Sequence, residues 1–429
     1  MSSASFAASA PFTLLPFEKK LDRLAEVAVR VGVGLQPEQE LVITAPVEAQ
    51  QLVRHITEQA YKAGAKLVTT FYADDATSLA RYLYAPDSSF DYAPVWYYDA
   101  LAAAYRSNAA RMGITGADPA LLAGQDPALV SRANAAASRA YKPAMDLITR
   151  FAINWTIVAA ATPAWASLVF PHDSHERALA NLWDAIFHTS RITGEDPIED
   201  WRRHNANISR RVDLLNNKRY GALRFFTSGD APNGGTDLTV GLADQHLWCG
   251  GGATAANGVY CNPNIPTEEC FTTPHKDRVN GHVAASKPLS HQGTLIEGIR
   301  CTFENGRIVA AKATRGEDAL KKLIGTDEGA CRLGEVALVP HNSPIAQSGI
   351  LFWNTLFDEN AASHIALGQA YSTCLMGGES MDKEQLAALG ANQSLIHVDW
   401  MIGGATMNVD GLCANGAAEP VMRNGDWVS

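Results

Sequence analysis

The stretch SLIHVDWMIG, Ser394 to Gly403, repeats with a period of two. Ile396, Val398, Trp400 and Ile402 fall on one face, as a strand with one buried side requires. Leu395, His397, Asp399 and Met401 fall on the other, so His397 and Asp399 project from one face, one pleat apart. An imidazole and a carboxylate in an otherwise apolar strand are expensive to bury unpaired. A divalent cation relieves that cost. A His–Asp ion pair on a solvent-facing side is the plainer alternative.

Upstream, Asp358 to Tyr371 reads DENAASHIALGQAY. Ala361, Ala362, Ile365, Ala366, Leu367 and Ala370 are mostly good helix formers, and Asn360 or Ser363 can cap a first turn. The composition predicts a helix. His364 and Tyr371, seven apart, then point the same way about two turns from each other, with Gly368 between them on nearly the same face. A glycine inside a helix costs about 1 kcal/mol and suggests a close approach. The bland reading is a buried histidine and tyrosine, each with one hydrogen-bond partner.

Two more segments carry acid. Asn264 to Thr273 reads NIPTEECFTT; if it is extended, Glu268 and Glu269 face opposite ways. One can then ligate a metal while its neighbour pairs elsewhere or acts as a base, unless the segment is a solvated acidic turn. Arg332 to Pro340 reads RLGEVALVP, with Glu335 opening an apolar strand, either as a surface residue at its end or as a ligand. The candidate set is Glu268 or Glu269, Glu335, His364, Tyr371, His397 and Asp399. Mixed carboxylate and imidazole donors suit zinc, cobalt, manganese or ferrous iron better than calcium. Three carboxylates and two imidazoles exceed what one tetrahedral zinc needs. That favours two ions sharing a bridging carboxylate, about 3.5–4 Å apart.

The chain of 429 residues is long for one ordinary core and suits two domains. After a Ser/Ala-rich arm (1–16), which lacks the basic charge of a signal or transit peptide, residues 17–219 alternate helices and strands. Phe17 to Val31 is an amphipathic helix. LVIT (41–44), a helix from 47 to 63 closed by Gly64, and LVTTFY (67–72) make a βαβ unit, expected to be parallel and right-handed. Strands over 110–115 and 151–161 and helices over 127–141, 174–190 and 197–216 continue the pattern. Neither GxGxxG nor GxxxxGK[ST] occurs, so a nucleotide role has no motif behind it. From residue 220 the texture changes to alternating strands. Cys301 to Ala311 forms a hairpin whose Asn305-Gly306 supplies the left-handed turn positions. The fold expected is an α/β N-terminal domain with a mostly parallel sheet, then an α+β C-terminal domain (220–429) with antiparallel sheet carrying the metal site.

A net charge of −10 argues against nucleic acid or an anionic membrane as main partner, and no apolar run reaches the roughly 18 residues of a membrane helix. Seven cysteines without a CxxC pair fit reduced thiols in a cytoplasmic protein.

NIPTEE, RLGEVALVP, LFWNTLFDENAASHIALGQAY and IHVDWMIG, in this order, resemble the signatures of the metalloaminopeptidases that include aminopeptidase T, AmpS and PepS. The resemblance runs from about Phe17 to the C-terminus. It implies a homodimer that releases N-terminal residues from peptides with a free N-terminus. It also implies that ligand and catalytic positions fall on Glu269, Glu335, His364, Tyr371, His397 and Asp399. Cys270 departs from the β-branched residue expected beside the site. In the mechanism so implied, Glu268 or Glu335 accepts the proton of an activated water, and Tyr371 ligates a metal or donates to the oxyanion. Two rivals stand beside it. One is a ferrous-iron ring-cleaving dioxygenase of the 2,5-dihydroxypyridine type, which looks like a relative of this family. The other is a non-catalytic metal-binding protein.

Overall fold

In the computed structural model, which describes residues 15–227, 235–291 and 294–428, the amphipathic stretch after Pro16 folds as α1 (Phe17–Val27) and buries Leu21, Leu24, Ala25 and Val27. All but the last two residues of the expected N-terminal arm lie outside the described residues. A π-helical turn, Ala28–Gly32, completes the predicted helix. β1 (Glu40–Pro46), α2 (Gln50–Lys62) and β2 (Leu67–Ala73) form the βαβ unit, with β1 and β2 parallel. α3 (Asp75–Tyr84) and α4 (Val95–Arg106) lead to β3 (Ala110–Thr115). α5 (Pro127–Thr149) passes the end expected at Tyr141, through Pro143, because its buried face continues at Ala144 and Ile148. β4 (Trp155–Ala159) completes a parallel sheet of order β2-β1-β3-β4. α6 (Pro163–Val169), α7 (His175–Thr189) and α8 (Pro197–Lys218) follow. Ser174 and Asp196 cap α7 and α8 through first-turn amides.

Antiparallel pairing takes over after α8. The strands are β5 (Ala222–Thr227), β6 (Asp237–Leu242), β7 (Ala253–Thr254), β8 (Tyr260–Cys261), β9 (Cys270–Thr272) and β10 (Pro274–Ala284). β11 (Leu289–His291), β12 (Thr294–Ile296), β13 (Arg300–Glu304) and β14 (Arg307–Lys312) come next. The β13–β14 turn holds Asn305 at φ 48° and Gly306 at φ 81°, the left-handed pair expected of Asn-Gly. Then come α9 (Glu317–Ile324), β15 (Leu333–Leu338), α10 (Pro344–Ser348), α11 (Thr355–Asp358) and β16 (His364–Gly368). α12 (Lys383–Ala388), β17 (His397–Met401), β18 (Met407–Leu412), β19 (Ala418–Arg423) and β20 (Asp426–Trp427) finish the chain. An eight-stranded sheet has the order β14-β13-β10-β6-β5-β18-β19-β20, and a four-stranded sheet the order β17-β16-β15-β9. None of the described helices is long and apolar enough to cross a membrane.

The predicted helix over Asp358–Tyr371 is a correction. Asp358 ends α11, a short turn over Glu359–Ala361 is the only helical part of the rest, and His364–Gly368 is strand β16, buried along its length. Helix propensity here amounts to tenths of a kcal/mol per residue. It yields to a central position in the sheet, where β16 pairs with β15 on one side and β17 on the other.

Two large cores result. The first gathers α1, α2, β1, β3, β4, α6 and α7, and also takes Ile265, Phe352, Leu356, Phe357 and Ala361 from far along the chain. The second lies under the antiparallel sheets and includes Val336, Ile365, Leu367 and Trp400, with Ile208 and Leu215 of α8. The segment at Asn264 joins the first layer directly. Ile265 N–H donates to Ile157 O (3.0 Å) and Ile157 N–H to Pro263 O (2.7 Å), extending the parallel sheet beyond β4.

Candidate metal centre

Strand register assembles the site. In an antiparallel pair, residues directly opposite share a face, and so do residues two apart on one strand. Asp399 pairs with Ala366, and Ala366 with Glu335. His364 and His397 lie two residues from Ala366 and Asp399, hence on the same face. On β9, Phe271 pairs with Ala337, which also pairs with His364, so Glu269 at the foot of β9 joins that face. The other face carries Val336, Ile365, Leu367 and Trp400 into the second core. Ala366 and Gly368 sit between the strands bearing the acids and histidines and leave room in the middle. Gly368 itself admits no side chain: its φ is +103°, and a Cβ there would meet Ile396 O.

Five of the expected residues converge in two triads. Glu269, Glu335 and His364 offer donor atoms within 4.8 Å of one another, and so do Glu335, His397 and Asp399. Glu335 belongs to both. Its Oε1 lies 3.5 Å from His364 Nε2, and its Oε2 3.5 Å from His397 Nε2. Glu269 Oε2 is 3.3 Å from His364 Nε2, and Asp399 Oδ1 is 3.4 Å from His397 Nε2. Both imidazoles are oriented from behind. His364 Nδ1 is 3.2 Å from Ala362 O and His397 Nδ1 is 2.7 Å from Gln369 O. A carbonyl accepts only from an N–H, so Nδ1 carries a proton in each ring and Nε2 is the nitrogen left to offer a lone pair once it deprotonates for a cation. Tyr371 follows β16 rather than sharing a helix with His364, and its ring packs 4.7 Å from that of His397.

Glu269 Oε2 and Asp399 Oδ1 are buried without a hydrogen-bond partner. Buried carboxylate oxygens are normally paired, and two orphans facing two imidazoles are what a cation would satisfy. The charge pattern agrees. Burial, helped by Glu335 and Asp399, pushes the Glu269 carboxyl up to about 8. Burial works against protonation of His364, yet Glu335, Glu269 and Asp399 push it up to about 10. Asp399 holds His397 up at about 9, again against burial. Without a cation the cluster retains protons to balance its acids.

Glu359 is the residue the sequence reading missed. Desolvation and the nearby Glu269 and Asp399 hold its carboxyl well above the usual range. Its Oε1 accepts from Asn264 Nδ2 (3.3 Å) and Asn360 Nδ2 (3.4 Å). The available signal was an Asp358-Glu359 pair in a run otherwise apolar. Asp358 is spent on the turn, accepting from the backbone N–H of Phe352 (2.8 Å) and Asn354 (3.0 Å).

Glu268, one of the two expected proton acceptors, is a second correction. It faces away from Glu269 and is bound at both oxygens by Arg191, Nη1–Oε1 2.5 Å and Nη2–Oε2 2.8 Å. The pair is largely buried, with side chains 17% and 3% exposed. Its geometry is the bidentate fork of an arginine–carboxylate lock. Arg191→Ala, which leaves a buried carboxylate unpaired, is expected to lower unfolding free energy by about 3–5 kcal/mol in urea titrations. A change below about 1 kcal/mol would mean that Glu268 is hydrated and free to act.

Residues 17–427 match a family model described as thermophilic metalloprotease (M29). Aminopeptidase T of Thermus thermophilus is 50% identical over 412 residues, which is 96% of this chain and 99% of that protein. AmpS of Bacillus subtilis is 43% identical over 412 residues, 96% of this chain and 99% of its own length. The solved structure of wild-type AmpT from Thermus thermophilus superposes with a TM-score of 0.90 at 49% identity, covering 96% of this chain and 100% of that one.

Proposed function

The chain belongs to the thermophilic metalloprotease (M29) family and is a peptide hydrolase, and from that premise we propose that it releases N-terminal amino acids using two divalent ions that share Glu335. The observation that carries the reading is the placement of the two Glu335 oxygens, one toward each histidine. Glu269, His364 and Glu335 would hold the first ion, and His397, Asp399 and Glu335 the second. When bound, such ions (zinc, cobalt or manganese for this donor set) supply Lewis acidity and bring the pKa of water toward neutrality.

The protein's own groups do the rest. With Glu268 locked to Arg191 and Glu335 turned to both triads, Glu359 is the carboxylate best able to take a proton and pass it to the leaving amine. Its Oε1 is fixed by two amides, and its environment favours the protonated form. Tyr371 is 41% exposed as a residue, but desolvation of its hydroxyl and the carboxylates of Glu335 and Asp399 keep the phenol protonated well above its usual range. It is therefore a donor, suited to an oxyanion. The clustered carboxylates favour a free α-amino group over an acylated one, which accounts for exopeptidase action. The reading extends to a homodimer acting in the cytoplasm. The ring-cleaving alternative draws no support from relatives that carry aminopeptidase names.

The test is to remove metal with chelator, add back zinc, cobalt, manganese or ferrous iron, and follow aminoacyl-p-nitroanilide hydrolysis beside an N-acetylated control. Metal-restored cleavage of the free-amine substrate alone is expected. Binding of metal without cleavage would overturn the reading. Tyr371→Phe is expected to lower kcat about 100-fold while KM and metal content stay within about twofold. Loss of an ion in that variant would make Tyr371 a ligand instead.

A further inference from the structure

A cleft of about 390 Å³ opens at the C-terminal ends of β1, β2 and β3, lined by Thr44, Phe71, Tyr97, Arg111, Thr115 and Ile157 among others. The chain turns one way from β1 to β2 and then places β3 on the other side of β1. Open parallel sheets bind ligands at this switch point. Arg111 is the second residue of β3, and its side chain runs along the strand over Gly113: a Cβ on that glycine would sit 3.2 Å from Arg111 Nη2. The guanidinium stacks near Trp155 at 5.7 Å. It makes no ion pair or side-chain hydrogen bond among the described residues, and its Nε is buried without a partner. Asp75, on the same cleft, accepts from Asp118 N–H (2.8 Å) instead. A partly buried, unpaired guanidinium with a fork of free donors fits a carboxylate.

Strand pairing and two hydrogen bonds tie the wall of the cleft to the metal centre. Thr44, Gly113, Ile157 and Asn264 pair in one row across the sheet, on one face. Asn264 donates to Glu359, and Thr115 on the cleft accepts from Asn354 (2.9 Å), just before α11 and Glu359. Two strand spacings of about 4.8 Å and one amide side chain put Arg111 within about 15 Å of Glu359. An extended peptide covers about 3.3–3.6 Å per residue.

We propose that Arg111 binds the C-terminal carboxylate of short peptides, about three to five residues long, whose N-terminus lies at the metal centre. The proposal rests on the function assigned above and deepens it to a substrate class. Ile157, which lines the cleft and lies in the row between Gly113 and Asn264, would pack against the intervening residues.

The test compares a tetrapeptide with its C-terminal amide, and with an amide carrying one internal aspartate, on the metal-loaded protein. The wild type is expected to prefer the free acid at least about tenfold in kcat/KM, through KM. Arg111→Met, which keeps the apolar stem on Trp155, is expected to abolish the preference, and Arg111→Lys to restore part of it. Equal rates for acid and amide in the wild type, or a preference that survives in Arg111→Met, would overturn the proposal. So would recovery of the full rate by the aspartate amide, which would assign Arg111 to acidic side chains. Cleavage of none of the three peptides would instead overturn the function on which it rests.

Discussion

Glu335→Ala is expected to lose both of the proposed ions and to lower kcat/KM by at least about 10³-fold. Glu335 alone belongs to both triads, so its removal takes one donor from each ion at once. The remaining pairs, Glu269 with His364 and His397 with Asp399, are two donors each, fewer than the three protein ligands of a usual catalytic zinc site. Lewis-acid stabilisation is worth several kcal/mol, and each 1.36 kcal/mol is tenfold in rate. Metal analysis by mass spectrometry and kcat/KM on an aminoacyl-anilide measure the two losses. Circular dichroism checks that the buried strand β15 still folds. Retention of one full ion per chain with partial activity would replace the shared-carboxylate arrangement by two independent sites.

The second large effect is on stability, and its sign depends on metal. In the chelated protein, His364 and His397 sit at about 10 and about 9 and Glu269 at about 8. All three are raised above their unfolded values, about 6.5 for histidine and 4.3 for glutamate. Each contributes stability that is complete below its unfolded pKa and lost as pH rises through its folded pKa. Asp399 is lowered and works the opposite way, but only in acid. The Tm of the chelated protein should therefore fall between about pH 6 and pH 10. Ions need the same groups deprotonated, so their affinity rises over that interval. An ion at a hundredfold excess over its Kd adds about 2.7 kcal/mol. The gap between loaded and chelated Tm should widen from pH 6 to pH 9, read by calorimetry in matched buffers. Two parallel curves would show that these groups do not take up protons when the metal leaves.

The parts of the fold legible in the sequence are those where local pattern and tertiary context agree. LVIT and LVTTFY are apolar runs bounded by turn residues, and both are strands in the parallel sheet. The alternation around His397 and Asp399 survives as β17 because one side of it is core. The stretch containing His364 was misread because alanine favours helix locally, while its environment, a strand on either side, is set by residues far away in sequence. Glu359, just before the residues expected to cap that helix, is given no role by the sequence, because only the folded turn carries it to the centre. That Glu268 and Glu269 face apart follows from extended backbone. Which of them reaches the centre depends on Arg191, 77 positions upstream, and no local pattern reports that. The ion-free guanidinium of Arg111 was equally invisible, since its lack of a partner is a property of the folded neighbourhood.

The two cores have a consequence for motion. Glu359 is flanked by Phe357 and Ala361, both anchored in the first core. The strands that present Glu335, His397 and Asp399 are seated on the second. The ligand candidates thus share one sheet, while Glu359, the proposed proton carrier, reaches them from the other core. A shift of one core against the other would therefore move the proton carrier away from the ligand set while leaving the set itself intact.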